Sequence, residues 1–234
     1  MSTSKRARKS PPYTGTSTRN RNEIKINGFE PIIPKNYVQE TYLESIRNNQ
    51  ITFAVGPAGT GKSYIATAYA AEQLYYKRID KLILTRPAVE AEESLGALPG
   101  ELADKYAPYL APIRDILDNL LGKSFVEYCL KVGTIEPVPI AFMRGRTFEN
   151  SVVLIDEGQN VTPRQMKLIL SRIGEDCKMI IDGDITQKDI RGDSGLEDAV
   201  RRLDGIQGVE VIRFLNHDIV RSGLCRKIIQ AYED

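Results

Sequence analysis

The 234-residue sequence has no tryptophan, one histidine and three cysteines, and these scarcities exclude several kinds of site. A single histidine, His217, argues against a histidine-based catalytic triad and against a zinc site built from histidines. We predict that His217 lies beside the start of the last helix. Cys129, Cys177 and Cys225 are far apart and odd in number, which favours free thiols in a reducing compartment. The cytoplasm is therefore the predicted location.

Long hydrophobic runs are also absent. No apolar segment approaches the roughly 20 residues that a membrane-spanning helix requires. The basic N-terminus is not followed by the apolar region of a secretory signal. Apolar residues nevertheless make up 41% of the chain, which is enough for a substantial core. We therefore expect a globular protein that does not enter a membrane.

Acidic residues are missing from residues 1–22, where six lysines and arginines give a local charge of +6 in a chain of net charge +1. This segment is rich in Ser, Thr, Pro and Arg, so we predict a disordered tail followed by one domain over residues 23–234. Two interpretations of the tail stay open: a solubilising extension, or an arm that contacts the phosphates of a nucleic acid.

Beyond the tail, short apolar runs alternate with helical patterns. This alternation predicts an α/β fold with a mainly parallel, doubly wound sheet of five strands, whose ligands bind at the carboxyl ends of the strands. The predicted strands cover residues 51–55, 81–85, 151–156, 178–182 and 209–214. A capping box predicts a helix that begins at Thr162. The segment of about 86–147 is too long for one crossover and is predicted to be a helical insertion.

The sequence "GPAGTGKS" at 56–63 matches a glycine-rich phosphate loop between a predicted strand and a predicted helix. In such a loop, backbone N–H groups and the helix N-terminus converge on the phosphates. Lys62 is expected to hold the β- and γ-phosphates, and Ser63 to ligate Mg²⁺. The predicted nucleotide-binding residues are Gly56, Pro57, Ala58, Gly59, Thr60, Gly61, Lys62, Ser63 and Tyr64.

The sequence "VVLIDEGQN" at 152–160 supplies the second half of such a site. Asp156, at a strand end, is expected to hold Mg²⁺, which relieves its repulsion with Glu157. Glu157 is then free to orient and deprotonate the attacking water. "GDITQ" at 183–187 follows the next strand and places Gln187 where it can sense the γ-phosphate. Two solvated acids at a strand end are the plainer alternative.

Four motifs together resemble the PhoH-like proteins: "GPAGTGKS", "LTRPAVEAEESLGALPGEL", "MRGRTFENSVVLIDEGQN" and "GDITQKD". The resemblance covers about residues 34–232. It implies a three-layer, RecA-like P-loop fold related to the first domain of superfamily-one helicases, and an ATPase linked to RNA. By the same resemblance Gln39 contacts adenine, although it could equally be a polar helix residue. Gly158 departs from the family, which usually has alanine there.

Candidate nucleic-acid contacts are Arg86 in "TRP" and Arg144 and Arg146 in "MRGR". A guanidinium at a strand end suits a phosphate. Each arginine could instead form a structural salt bridge, for example with Glu90 or Glu93. The chain lacks tryptophan, and no stacking platform for bases is evident in these loops. We expect modest, salt-sensitive binding of RNA or single-stranded nucleic acid.

The resemblance also implies an oligomer. Superfamily-one helicases complete their ATP site with an arginine from a second domain, and only one such domain is predicted here. Longer family members carry an extra domain, whereas short forms are typical of bacteriophages. A neighbouring subunit of a ring, most simply a hexamer, is the expected donor. Arg221 is the candidate, in a last helix capped by Asn216 or Asp218, with Arg191 second; a surface arginine is the alternative.

Three functions compete at this stage. The leading hypothesis is a Mg²⁺-dependent ATPase that acts on RNA, with possible strand remodelling. A nucleotide-sensing assembly protein with little turnover would bind ATP and recruit partners. A P-loop kinase would transfer phosphate to an acceptor. Glu157 beside the metal-organising Asp156 favours hydrolysis.

Overall fold

A computed structural model describes residues 29–87, 106–220 and 223, which include a sheet of six parallel strands. The strands are β1 (Ile51–Val55), β2 (Lys81–Thr85), β3 (Ile135–Pro137), β4 (Ser151–Ile155), β5 (Lys178–Gly183) and β6 (Val209–Arg213). Their spatial order is β3-β2-β4-β5-β1-β6. The predicted α/β class with a parallel sheet is confirmed. The basic tail, residues 1–22, lies outside the described residues.

The predicted count of five strands is wrong, because β3 adds a sixth at one edge of the sheet. β3 has only three residues and ends at Pro137, which has no backbone N–H to donate to a ladder. Proline is tolerated at such an edge, and a run this short has no readable periodicity. Three predicted strand ends also differ by one residue, since Asp156 and Phe214 lie just beyond β4 and β6, and β5 extends to Gly183.

Six α-helices cover the sheet in the described part of the chain. They are α1 (Tyr37–Asn48), α2 (Lys62–Tyr75), α3 (Ala111–Leu121), α4 (Lys123–Val132), α5 (Pro163–Leu170) and α6 (Gly195–Leu203). The predicted insertion is therefore helical at α3 and α4, and then contributes β3. The predicted capping box is present, since Thr162 and Gln165 bond reciprocally at the start of α5. Among these helices, none is long and apolar enough to cross a bilayer.

Two hydrophobic cores lie on opposite faces of the sheet, which gives the predicted three layers. Along β4, Val152 and Leu154 face the core shared with α1 to α4, whereas Val153 and Ile155 face the core shared with α5 and α6. This alternation follows from the period-two geometry of a strand. Because the sheet is buried on both faces, its strands are almost continuously apolar and its polar groups collect at the strand ends.

The carboxyl ends of β4, β5 and β1 lie side by side at one edge of the sheet. The three loops that leave these strands begin at Asp156, Asp184 and Gly56. The strand order therefore gathers all the predicted phosphate-binding motifs at one place. The loop that leaves β1 leads directly into α2, whose first turn begins at Lys62.

Candidate nucleotide site

The phosphate loop depends on two glycines. Gly56 has φ of +149°, and a Cβ there would lie 2.3 Å from the carbonyl oxygen of Phe214. Gly61 caps α2 with φ of +86°, and its Cβ would lie 2.6 Å from the Nε2 atom of Gln39. Neither position accepts a side chain without a shift, so this sharp loop directly before the helix requires glycine.

Lys62 is buried inside the phosphate loop, at 8% exposure. Its Nζ donates to the carbonyl oxygens of Gly56 and Pro57, each at 2.8 Å, and weakly to the Thr60 hydroxyl at 3.4 Å. Burial lowers the pKa of this ammonium, and nearby carboxylates, Asp182 first, oppose that shift. The loop backbone thus holds a largely desolvated lysine beside the helix N-terminus.

Asp156 immediately follows β4 and is 5% exposed. Its Oδ1 atom accepts a hydrogen bond of 3.0 Å from the Ser63 hydroxyl on the first turn of α2. A hydroxyl and a carboxylate oxygen are the donor types that Mg²⁺ takes in nucleotide sites. The two predicted metal ligands are therefore brought together from opposite sides of the loop.

A third buried carboxylate, Asp182, was not singled out by the sequence analysis. It lies near the end of β5 at 1% exposure, and neither of its oxygens has a hydrogen-bond partner in the described structure. Burial, and next the charge of Asp156, raise its pKa well above the usual range. The only signal in the sequence was an acid at the end of the apolar run "KMIID". Such a desolvated acid fits a site that receives a cation.

Glu157 adopts the left-handed conformation, with φ of +56°. Its Oε2 atom accepts a 2.6 Å hydrogen bond from the Gln159 side chain, and its Oε1 atom one of 3.0 Å from Arg86. A non-glycine residue in this region costs of order 1–3 kcal/mol and tends to occur at functional sites. The carboxylate is therefore held from two directions.

Arg86, a predicted nucleic-acid contact, lies against the acidic pair of the site. Besides Glu157, its guanidinium is 3.4 Å from Asp156. Tyr106 fixes the arginine backbone, because its hydroxyl accepts from the Arg86 N–H at 2.7 Å and donates to the Arg86 carbonyl at 2.9 Å. The alternative partners, Glu90 and Glu93, lie outside the described residues. The strand end thus places this cation at the rim of the nucleotide site.

The loops after β4 and β5 are joined by two amide side chains. Gln159 accepts from the backbone N–H of Asp184 at 3.0 Å and donates to the carbonyl of Gln187 at 3.2 Å. Asn160 accepts from the backbone N–H of Asp189 at 2.8 Å. The acidic pair and the loop of Gln187 therefore form one bonded unit.

A cavity of about 220 Å³ opens between these groups. It is lined by Ala58, Gly59, Gly61, Lys62, Ser63, Tyr64, Asp156, Glu157, Asp182, Gly183, Asp184 and Gln187. The structure thus brings together the predicted phosphate cradle, metal ligands, base and γ-phosphate sensor. The lining combines the ammonium of Lys62 and the start of α2 with the carboxylates of Asp156, Glu157, Asp182 and Asp184, which suits a phosphate chain with its metal.

Gln39 supports the phosphate loop from α1 and does not line this cavity. It is 3% exposed, donates to the Thr60 carbonyl at 2.8 Å and accepts from the Lys35 N–H at 2.8 Å. Its position next to the loop is compatible with a nearby base, and its role in adenine binding stays a prediction.

The other predicted contacts lie away from the cavity. Arg144 is exposed, whereas Arg146 forms a two-pronged ion pair with Glu136, at 2.7 and 2.9 Å. Arg191 is exposed on the loop after β5. Arg221 lies outside the described residues, while Asn216 to Asp218, predicted to cap the last helix, form a short 3-10 turn that contains His217.

The family model and the curated relatives that this chain matches carry the same family description. A family model described as PhoH-like protein matches residues 31–233. "Protein PhoH" of Escherichia coli K12 is 50% identical over 206 residues, which cover 86% of this chain and 58% of that protein. A "PhoH-like protein" of Bacillus subtilis is 48% identical over 197 residues, covering 83% and 62%. The chain thus spans about three fifths of the length of these curated relatives.

The fold is also similar to a solved helicase structure. The UvsW helicase from bacteriophage T4 superposes with a TM-score of 0.51 over 80% of this chain and 62% of that one, at 13% identity. At this identity the likeness shows the fold alone. It agrees with the three-layer P-loop architecture described above.

Proposed function

Because this chain belongs to the PhoH-like protein family, we propose that it is a Mg²⁺-dependent ATPase that acts on RNA or single-stranded nucleic acid. The observation that carries the proposal is the convergence of Lys62, the bonded pair Ser63 and Asp156, and Glu157 around one cavity. Phosphate binding, metal binding and activation of water are the three requirements of NTP hydrolysis, and each has its group there.

Each residue has a distinct task in this proposal. Lys62 and the N-terminus of α2 bind the β- and γ-phosphates. Ser63 and Asp156 would hold Mg²⁺, which neutralises phosphate charge when bound. Glu157 accepts the proton of the attacking water. Gln187, bonded through its backbone to Gln159, reports whether the γ-phosphate is present.

The geometry around Glu157 supports its assignment as the base. Its left-handed backbone aims the side chain at the cavity, and Gln159 and Arg86 each hold one of its oxygens. A general base must be positioned before its basicity matters. Gln39, which bonds to Thr60 from α1, is the proposed adenine contact beside the loop.

Nucleic acid is the proposed partner because a cation, Arg86, lies at the rim of the site. Arg86 and Arg144 are the candidate contacts, with the tail of residues 1–22 as a further phosphate-binding arm. Arg146, the third arginine that the sequence suggested, is instead paired with Glu136. Arg86 is the most direct link, since it contacts Asp156 and Glu157. Remodelling of RNA strands, as in helicases, is the activity that such coupling would serve.

A ring of subunits, most simply a hexamer, completes the proposal. Among the described residues that line the cavity there is no arginine, and Arg86 is engaged by the carboxylates at its rim. An arginine on the transferred phosphate is worth roughly three to five orders of magnitude in turnover. A neighbouring subunit can donate Arg221 or Arg191 through a head-to-tail interface.

Phosphate release, measured with and without Mg²⁺ and single-stranded RNA, tests the proposal. Lys62→Ala should lose most ATP binding, whereas Glu157→Gln should keep ATP binding and lose turnover by about 10²- to 10⁴-fold. Glu210→Gln, on the exposed edge strand β6, is the matched control and should behave like the parent. Parental turnover in Glu157→Gln would refute the base assignment.

The same assay separates the alternatives. A nucleotide-sensing assembly protein would bind ATP and show negligible phosphate release under every condition. A P-loop kinase would release little phosphate until an acceptor is added.

A further inference from the structure

A groove of about 500 Å³ lies on the α5 side of the sheet, between α5 and the 3-10 helix Ile140–Met143. Its apolar wall is formed by Ile140, Ala141 and Leu168. Its charged lining consists of Arg144, Arg164 and Lys167, and no carboxylate lines it. We call this feature the α5 groove.

The three cations of the α5 groove are free to meet an external anion. All three are exposed, and none forms an ion pair or hydrogen bond with another described residue. Arg164 and Lys167 are three residues apart on α5 and therefore share one face of the helix. Arg146, only two residues from Arg144, is by contrast neutralised by Glu136. Like charges gathered without a counterion favour a polyanion.

An exposed aromatic residue lies on the 3-10 helix that forms one wall of the groove. Phe142 follows the lining residue Ala141 and is 56% exposed. An exposed ring next to a cationic groove provides a surface on which an unpaired base can stack. The guanidinium of Arg172 donates to the hydroxyl of Ser171, another lining residue, at 3.0 Å, which adds a fourth cation near the lining.

We propose that the α5 groove binds the backbone of single-stranded RNA, with Arg144, Arg164 and Lys167 on phosphates and Phe142 against a base. The inference rests on the nucleic-acid partner of the proposed function and names a separate surface for it. The α5 groove shares no lining residue with the nucleotide cavity, so RNA and ATP can bind together.

The α5 groove also has a direct connection to the catalytic carboxylate. Glu157 caps the short 3-10 turn Gly158–Asn160, and α5 begins at Pro163, after two further residues. An RNA strand bound along α5 would therefore contact the helix that follows the turn next to Glu157. This placement is what binding coupled to turnover requires.

Salt titration of RNA binding tests the proposal in the full chain. The probe is a single-stranded oligouridine, and its dissociation constant is measured at several salt concentrations. Each phosphate contact on a single strand contributes a slope of about −0.7 in log K against log salt. The double variant Arg164→Gln, Lys167→Gln should therefore reduce the magnitude of the slope by about 1.4. Its affinity for ATP should equal that of the parent.

The matched control is Lys123→Gln, Lys131→Gln, which removes the same charge from exposed positions on α4, on the opposite face of the sheet. It should leave the slope within error of the parent. Phe142→Ala should weaken binding about five-fold or more, from the loss of one stacked base, with an unchanged slope. Thermal unfolding of each variant confirms that it is folded.

Two results would overturn the assignment of the α5 groove and leave the proposed function standing. One is an unchanged salt slope in the Arg164 and Lys167 double variant; the other is an equal reduction of the salt slope in the α4 control. A parent chain that binds no oligouridine would refute the RNA partner of the proposed function, and this groove with it. ATP hydrolysis by that parent would still support the nucleotide site.

Discussion

The ion pair between Arg146 and Glu136 leads to a prediction that separates a structural arginine from a nucleic-acid contact. The two side chains meet fork to fork, at 2.7 and 2.9 Å. The guanidinium also lies 5.0 Å from the centroid of the Phe148 ring, and Lys81 adds a contact of 3.2 Å to Glu136. We expect Arg146→Ala to destabilise the fold and to leave RNA binding nearly unchanged.

The magnitude follows from the burial of this pair. Arg146 and Glu136 are 32% and 29% exposed, between a surface pair and a buried one. A surface pair contributes about 0.2–1 kcal/mol, whereas a charged hydrogen bond away from water contributes about 1.5–3 kcal/mol. Solvent screening keeps this pair near the lower end, and loss of the ring contact adds about 0.5 kcal/mol. We expect Arg146→Ala to lower the free energy of unfolding by about 1–2 kcal/mol.

Urea denaturation at pH 7 measures this loss, with Arg144→Ala as the control. Arg144 is exposed and unpaired within the described structure, so its removal should change the free energy of unfolding by less than about 0.5 kcal/mol. A double-mutant cycle with Glu136→Ala should give a coupling energy of about 1 kcal/mol between the two positions.

The stabilisation that Arg146 and Glu136 provide should also depend on pH. The hydrogen bonds from Arg146, opposed in part by burial, lower the pKa of Glu136 below its ordinary value. A carboxyl whose pKa is depressed by folding stabilises the protein above its unfolded pKa, and this contribution is lost as pH falls through the folded value. The difference in the free energy of unfolding between the parent and Arg146→Ala should therefore have its full value near neutral pH and shrink below about pH 4. An unchanged unfolding free energy together with a weaker RNA salt slope would refute the structural role.

Two further predictions concern the parts of the chain beyond the described residues. Removal of residues 1–22 should weaken binding of single strands and flatten its salt dependence, as titration of the truncated protein would show; an unchanged slope would leave the tail a solubilising role. Mixing Arg221→Ala subunits with Lys62→Ala subunits should restore ATPase activity, because mixed rings contain some interfaces with an intact Lys62 and an intact Arg221. No recovery on mixing, or a fully active monomer, would contradict donation between subunits.

The phosphate loop and the acidic pair could be predicted because their chemistry is local in the sequence. "GPAGTGKS" specifies its own turn, and the glycines at 56 and 61 are required by their backbone angles and close contacts. The run "SVVLI" predicts a buried strand, which places Asp156 at its carboxyl end. Parallel strands end at the same edge of the sheet, so these separate motifs were expected to meet.

The contacts of Arg86 could not be predicted, because they depend on strand order. β2 pairs with β4, and Thr85 lies opposite Ile155 in that register. The next residues, Arg86 and Asp156, are therefore neighbours, although 70 positions separate them in the sequence, and the Asp156 N–H bonds to the Thr85 carbonyl at 3.0 Å. Sequence patterns identify strands without revealing which of them pair. The short edge strand β3 was missed for a different reason, since three residues carry too little pattern.

Strand order also explains the unexpected position of Asp182. β5 lies between β1, which leads into the phosphate loop, and β4, which ends before Asp156. The Gly56 N–H bonds to the Gly183 carbonyl at 3.2 Å, so the end of β5 lies between the phosphate loop and the acidic pair. An acid at that point is buried and lies close to the pair formed by Ser63 and Asp156. The loop that follows β5 contains Gln187, so the same strand supplies both Asp182 and the residue proposed to sense the γ-phosphate.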